Sequence, residues 1–182
     1  DEDGQFLYRL IVLGNEANTE VDQNETRRKL IAPSITWNIS DDTQLTLLAL
    51  QQKDDQIYSF NQHLSPYILE AFNAMGTTYD IDNGFFIGDD DFNKFERDYQ
   101  SVGYEFSHVI NDSWTLRQNL RYDKVDLNYR YLSLRGGNPL TADLQRNAAI
   151  ENEKLDALAI DNRLETVFDT GSLAHQMTMG LD

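Results

Sequence analysis

Hydrophobic and polar residues alternate along two neighbouring segments in the middle of the chain, at residues 101–107 and 114–123. Strand side chains project alternately to opposite faces, so each segment is predicted to be a strand with one apolar and one polar face. Between them, Asn111, Asp112 and Ser113 favour a tight turn, because short polar side chains bond to their own backbone. The pattern therefore predicts a β-hairpin. Its apolar positions are Val102, Tyr104, Phe106, Trp114, Leu116, Leu120 and Tyr122.

Alternation of the same kind predicts five more strands, which gives about seven in all. It is poorest in the third strand, where Leu48 and Leu50 fall on the polar face. Pro33 lies inside the second strand and counts against that assignment, because proline donates no ladder hydrogen bond and is normally confined to edges and bulges. The five segments are residues 5–14, 27–38, 44–52, 158–168 and 173–182.

Connections between the predicted strands alternate between long and short. The long ones cover about residues 15–25, 54–97 and 128–155, and the last includes a possible short helix after Pro139. In an antiparallel meander this order places every short turn at one end, as in outer-membrane barrels, with short periplasmic turns and long extracellular loops. Compact soluble domains rarely carry such loops. The strands also have the roughly 9–11 residues that a tilted crossing of the hydrocarbon layer needs.

Aromatic residues cluster near the predicted short turns. Trp37, Phe106, Trp114 and Phe168 all lie on apolar faces within a few residues of a turn. Such rings favour the membrane–water boundary and form girdles in membrane barrels. Ordinary core aromatics would need no clustering at one end. The pattern therefore favours a transmembrane barrel over a soluble sandwich.

Composition limits the remaining functions. The 182 residues include 31 acidic and 15 basic ones, a formal charge of −16, which disfavours a nucleic-acid partner. Without cysteine no disulfide forms, and the three histidines lack metal-ligand spacing. Residues 80–84 depart from a calcium loop in glycine position and distal glutamate. No triad or phosphate-cradling signature appears, so we expect neither an enzyme nor a resident metal or cofactor.

Five motifs span nearly the whole chain in order: YRLIVL (8–13), IAPSITW (31–37), DDTQLTLL (41–48), FNKFERDYQSVGYEFSHVINDSWTLRQNLRY (92–122) and IDNRLETVFDTGSLAHQMTMGLD (160–182). They resemble the barrel of TonB-dependent ferric-siderophore receptors, most nearly the hydroxamate branch that takes ferrichrome and ferrioxamine. The resemblance implies a 22-stranded outer-membrane barrel of a Gram-negative bacterium, filled by a plug and energised by TonB. Residues 1–182 would be one section of the barrel, without the plug domain, TonB box and C-terminal strands.

Strand parity indicates which aromatic residues face the lumen near its mouth. Even positions of the third strand aim Tyr58 and Phe60 inward, and odd positions of the fifth aim Tyr129 and Tyr131 inward. The resemblance implies that tyrosines of these two loops contact a hydroxamate chelate, for which aromatic rings supply area and hydroxyl donors. Weaker candidates are His63 and Tyr67. A simpler interpretation is that these aromatics pack on each other. No protein ligand to iron is expected, because the siderophore fills the coordination sphere.

The stretch IYSFNQHLSPY at 57–67 lacks the glycines and the tryptophan of the family, which leaves the chelate open. Acidic loops should disfavour triply anionic catecholates and tolerate neutral or cationic hydroxamates. On the lumenal face four arginines and four acids are expected to form cross-strand ion pairs, some of which could hold the plug. They are Arg9, Arg117, Arg121 and Arg163 with Glu105, Asp123, Asp161 and Glu165.

Two other functions remain open at this point. One is a soluble acidic β-sandwich that acts as a binding module, and the other is a passive porin. Solubility without detergent would favour the sandwich, and an open pore in liposomes would favour the porin.

Overall fold

A computed structural model describes residues 4–57, 84–138, 140–141 and 143–182. The seven strands form one antiparallel sheet in which each strand pairs with its neighbours along the chain. The predicted all-β meander is therefore confirmed. The strands are β1 (Phe6–Asn18), β2 (Glu25–Ser40), β3 (Thr43–Ile57), β4 (Lys94–Asn111), β5 (Trp114–Asn138), β6 (Asp143–Thr170) and β7 (Leu173–Leu181).

Strand register gathers the alternating residues into two faces. We call one the apolar face; a row across it is Tyr8, Ile35, Leu47, Tyr104, Leu120 and Ile160, each paired with the next. We call the other the polar face; its neighbouring row is Arg9, Ser34, Leu48, Gly103, Arg121 and Ala159. The hydrophobic periodicity of separate strands thus becomes one continuous surface on each side of the sheet.

Among the described residues, no helix and no second sheet covers either face. Ile87 and Tyr129 are the buried apolar side chains there, whereas Leu47, Val102 and Leu158 are 49%, 54% and 64% exposed. A domain surrounded by water would bury such a surface, because apolar area in water is unfavourable and large exposed patches mark interaction sites. The apolar face therefore fits contact with lipid.

The apolar face has the height of a hydrocarbon layer. Along β3 it runs from Thr43 to Ala49, and the row above Gln51 is charged, with Lys53 paired to Lys29 and Asp98. Seven residues at roughly 3.3 Å each, tilted by about 40°, rise about 18 Å, which approaches the ~25 Å apolar band of outer-membrane barrels. Among the described residues, no helix is long and apolar enough to cross a bilayer.

Polar side chains within this band are bonded to one another. Tyr104 donates its hydroxyl hydrogen to Gln118 Oε1 at 2.6 Å, and Gln118 Nε2 donates to Asn162 Oδ1 at 2.6 Å. Asn162 Nδ2 then donates to the carbonyl oxygen of Leu181 at 3.3 Å. Because polar groups in an apolar medium cost free energy unless they are paired, this chain of bonds allows three polar residues on the apolar face.

Short turns lie at one end of the sheet, at residues 41–42, 112–113 and 171–172; this is the short-turn end. The loop end holds the connections 19–24, 58–93 and 139–142. The predicted difference between the ends is confirmed. The long connection predicted at 128–155 is wrong, however, and so is its helix after Pro139. β5 and β6 continue as a paired hairpin from Trp114–Thr166 to Asn138–Asp143.

The hairpin continues because its two strands pair with each other far above the apolar band, where water reaches both faces. Polar composition at 128–155 therefore marks exposure rather than the end of the strands. For the same reason β1 extends to Asn18, and the first connection covers residues 19–24 instead of the predicted 15–25.

Pro33 lies in an interior strand of this sheet, so the strand assignment holds in spite of the proline. It pairs with Leu10 of β1, while the ladder to β3 lapses between Ile31–Gln51 and Ser34–Leu48 without a change of register. The missing N–H thus costs local ladder bonds on one side only, and the alternation of faces is preserved.

Aromatic rings gather at the short-turn end, as predicted. Phe6 stacks on Trp37 with centroids 5.8 Å apart, and Phe168 stacks on His175 at 5.0 Å. His108 lies 6.5 Å from Phe106, and its Nδ1 is 2.9 Å from Thr43 Oγ1. These amphipathic rings suit a membrane boundary, where one edge of a ring is apolar and the other is wet.

Candidate ligand site at the loop end

An aromatic cluster lies on the polar face where β4 and β5 rise above the apolar band. The rings of Phe95 and Tyr129 meet edge to face at 5.5 Å, and Tyr129 stacks on Tyr131 at 4.5 Å. We call Phe95, Tyr129 and Tyr131 the mouth cluster. β5 keeps its register from Arg117 to Leu134, so both tyrosines lie on the face of Arg117, as parity predicts.

One tyrosine of the mouth cluster is fixed by an acidic partner on β6. Tyr131 donates its hydroxyl hydrogen to Glu151 Oε1 at 3.0 Å. This hydrogen bond and the charge of the carboxylate raise the pKa of Tyr131 above its ordinary value. Tyr129 is buried beside it. The cluster therefore presents a rigid aromatic surface with a carboxylate at its edge.

A buried carboxylate lies one row nearer to the apolar band. Asp54, 0% exposed, accepts a hydrogen bond from Arg28 Nε at 2.6 Å on β2 and from Arg97 Nη2 at 2.7 Å on β4. Gln52 Nε2 adds a bond of 2.9 Å. Burial alone would raise the pKa of Asp54, but these hydrogen bonds and the arginine charge lower it overall. We call Arg28, Asp54 and Arg97 the arginine clamp.

The predicted ion pairs nearer the short-turn end form only in part. Arg117 reaches across strands to Glu165 at 3.1 Å. The other two pairs join residues two apart on one strand, Arg121–Asp123 at 2.9 Å and Arg163–Asp161 at 3.0 Å. Long arginine side chains lie along their own strand as readily as across it, so parity alone does not choose the partner. Within the described residues, Arg9 and Glu105 form no ion pair.

Residues 84–93 are fastened to the loop end at two points. The N–H of Asp22 donates to the carbonyl oxygen of Gly84 at 2.8 Å. Arg146 Nη1 donates to the carbonyl oxygens of Ile87 at 2.8 Å and Gly88 at 2.6 Å. This segment thereby connects the β1–β2 turn to the β5–β6 hairpin.

Carboxylates gather at Asp89, Asp90 and Asp91, close enough to share a cation. Asp89 Oδ1 already accepts the N–H groups of Asp91 and Phe92, as in an ordinary polar turn. The turn explains this group of acids without a metal.

No family model matches the chain. It is 34% identical over 184 aligned positions to the ferrioxamine B receptor of Salmonella typhimurium, covering 100% of this chain and 25% of that protein. It is 29% identical over 200 positions to the ferrichrome outer membrane transporter/phage receptor of Escherichia coli, covering 100% of this chain and 26% of that protein. The crystal structure of the ferric-catecholate import receptor Fiu of E. coli, in its open form, superposes with a TM-score of 0.82. That match has 22% identity and covers 97% of this chain and 29% of Fiu.

These matches show that the chain resembles one section of siderophore-receptor barrels of the outer membrane. It spans about a quarter of the length of the curated relatives it matches. The resemblance carried by the sequence motifs is thereby confirmed for a section of the barrel, and the same relatives support the predicted outer-membrane location.

The predicted site residues divide into two groups. Tyr129 and Tyr131 come together on the predicted face, and their contact with a ligand stays a prediction. Tyr58, Phe60, His63 and Tyr67 lie outside the described residues.

Sequence reasoning missed Phe95, Glu151 and the arginine clamp. Counting back from the shared turns does not find these contacts, because a register shift beside each turn displaces the count by one residue. From the β2–β3 turn the count pairs Arg28 with Asp55, whereas the shift between Asn38 and Ser40 brings it beside Asp54. A shift between Val109 and Asn111 likewise places Phe95 beside Tyr129.

Proposed function

We propose that this section is part of an outer-membrane receptor that binds ferric siderophores of the hydroxamate type. The complete receptor would import them with energy delivered by TonB. One observation supports this above all: an uncovered apolar face of membrane height lies back to back with a polar face that carries an aromatic cluster at its loop end. The similarity to receptors named for ferrioxamine and ferrichrome points to the same ligand class.

The mouth cluster suits a chelate whose outer surface is largely apolar. Aromatic rings offer area at low entropic cost, and the Tyr131 hydroxyl with its Glu151 partner places polar groups at the rim. In this proposal iron arrives with its coordination sphere filled by the siderophore, so the protein supplies no metal ligand. Tyr58, Phe60, His63 and Tyr67 would complete the site from the connection between β3 and β4. No enzymatic step is part of this function.

Charge favours a neutral or cationic chelate. Glu151 lies at the edge of the mouth cluster, Glu153 follows on the same face, and the chain as a whole carries a formal charge of −16. A triply anionic ferric catecholate would meet a repulsive field, whereas a hydroxamate complex would not.

Binding to the complete receptor that contains this section tests the proposal. We expect saturable binding of a ferric trihydroxamate in detergent and weaker binding of a ferric tricatecholate. Tyr131→Ala should weaken hydroxamate binding about tenfold, since stacking and its tyrosine hydroxyl are both lost. Tyr122→Ala is the matched control, because Tyr122 lies on the apolar face of the same strand and also bonds a carboxylate, Asp156.

Equal losses in the two variants, or preference for the catecholate, would contradict the proposal. A passive porin remains the other membrane function to exclude. Liposomes that contain the complete receptor should resist sugar-driven swelling, and swelling at porin rates would favour an open pore.

A further inference from the structure

The arginine clamp holds more positive charge than its carboxylate neutralises. Asp54 Oδ1 takes Arg28 Nε, and Oδ2 takes Nε and Nη2 of Arg97. One negative charge thus fixes two guanidinium groups. Arg28 Nη1, Arg28 Nη2 and Arg97 Nη1 donate to no oxygen of the described residues. The side chains of Arg28 and Arg97 remain 44% and 36% exposed.

The spare charge is not used by nearby acids of the same face. Arg97 pairs with Leu127 of β5, and Leu127 pairs with Glu153 of β6. Glu153 therefore lies in the same row, but it forms no ion pair with the arginine clamp. On β1 the row ends with the neutral Asn15. The unused N–H groups therefore lie open on the polar face.

The clamp adjoins the mouth cluster. Arg97 and Phe95 lie two residues apart on β4 and share a face, so their Cα atoms are about 7 Å apart. Phe95 pairs directly with Tyr129. A molecule seated on these rings would place a side group of a few atoms within reach of the guanidinium groups.

We propose that the arginine clamp is a carboxylate subsite that selects ferric hydroxamate chelates carrying one pendant carboxylate group. Planar guanidinium forks match the two oxygens of a carboxylate, and charge-assisted hydrogen bonds of this kind are stronger than neutral ones. Asp54 pre-orders both forks, which reduces the entropy lost on binding. The acid-rich surface elsewhere repels anions, so one carboxylate is favoured at this position only. The subsite rests on the proposed function.

The test compares two ferric trihydroxamates that differ only at the end of their linear tail, a carboxylate in one and a primary amide in the other. With the complete receptor in detergent we expect the carboxylate chelate to bind about tenfold more tightly. The preference should shrink as salt is raised, because the subsite is partly exposed.

The informative variant changes Arg28→Gln, Asp54→Asn and Arg97→Gln together, so that no charge is left buried without a partner. It should bind the two chelates with a ratio near one. The matched control is the double variant Arg163→Gln and Asp161→Asn, which removes another ion pair of the polar face far from the mouth cluster. It should keep the tenfold ratio.

Two outcomes would overturn the subsite: equal affinity of the unmodified receptor for the two chelates, or an unchanged preference in the triple variant. Both leave the proposed function in place. If neither chelate bound the unmodified receptor, the proposed function would be contradicted instead, and the subsite with it.

Discussion

Leu47 and Leu48 are consecutive residues of β3 that differ mainly in what lies outside the sheet. Leu47 is 49% exposed on the apolar face, and Leu48 is 39% exposed on the polar face. If the apolar face meets lipid, Leu47→Arg places a charge in hydrocarbon, while Leu48→Arg places the same charge in the lumen. We therefore expect Leu47→Arg to destabilise the barrel far more than Leu48→Arg.

The position of Leu47 sets the size of the effect. Its row lies about midway up the apolar band, four residues from the start of β3 at Thr43. Arginine at the midplane of a membrane barrel costs about 2–4 kcal/mol, whereas lumenal substitutions cost little. Leu48 pairs directly with Gly103, whose missing side chain leaves room for a longer residue. The two variants should differ by about 2–3 kcal/mol in free energy of unfolding.

Denaturant unfolding of the complete receptor in phospholipid vesicles measures this difference. Midpoints and slopes should be recorded for both arginine variants and for Leu47→Ala and Leu48→Ala. Each alanine variant removes the leucine contacts without adding a charge, so the arginine-minus-alanine difference isolates the cost of the charge.

A small or inverted difference would refute the reasoning. If Leu47→Arg were as well tolerated as Leu48→Arg, the apolar face could not border hydrocarbon. If Leu48→Arg were the more damaging, the faces would be assigned the wrong way round.

Three further predictions concern single residues. Gly103→Ala should destabilise the barrel by about 1–3 kcal/mol in the same unfolding assay, because the added Cβ would lie 2.3 Å from the carbonyl oxygen of Leu120. An unchanged unfolding midpoint would count against this close approach. Arg146→Ala should speed amide hydrogen exchange within residues 84–93 while the strands keep their protection, because two hydrogen bonds to this segment are lost. Equal changes in exchange across the whole sheet would contradict a local role for Arg146. The pKa of Asp54 is lowered in the folded state, so its carboxylate should stabilise the fold above the unfolded pKa of about 3.9, and this stabilisation should be lost as pH falls through the still lower folded pKa. The difference in free energy of unfolding between the unmodified receptor and Asp54→Asn should therefore be constant above about pH 5 and become smaller below it. A difference that grows in acid would contradict this sign.

The strands of the middle hairpin could be predicted because both of their faces meet distinct surroundings. Between Val102 and Tyr122 one face is apolar and the other polar, so period-two alternation is strong. Above the apolar band both faces meet water and the alternation fades. The β5–β6 hairpin beyond Asn128 was therefore mistaken for a connection with a helix. Local pattern identifies a strand only where its two faces differ.

The candidate site was predictable to the extent that parity reaches along one unbroken strand. Tyr129 and Tyr131 keep the face of Arg117 because no bulge intervenes. Phe95 and the arginine clamp depend on which strands are neighbours and at what height. That information is a relation between segments up to tens of residues apart, and no local pattern contains it.

By itself, the sequence determined the number of strands, the face of each side chain and the end that carries the short turns, because these follow from the period of the backbone and from turn chemistry. Only the tertiary structure decided which charges meet, how far β5 and β6 extend and that Phe95 joins Tyr129. These depend on register between strands, which hydrogen bonding across the whole sheet fixes cooperatively. Asp54 shows the difference: its position on the polar face follows from parity, but its two arginines come from separate strands that register brings beside it.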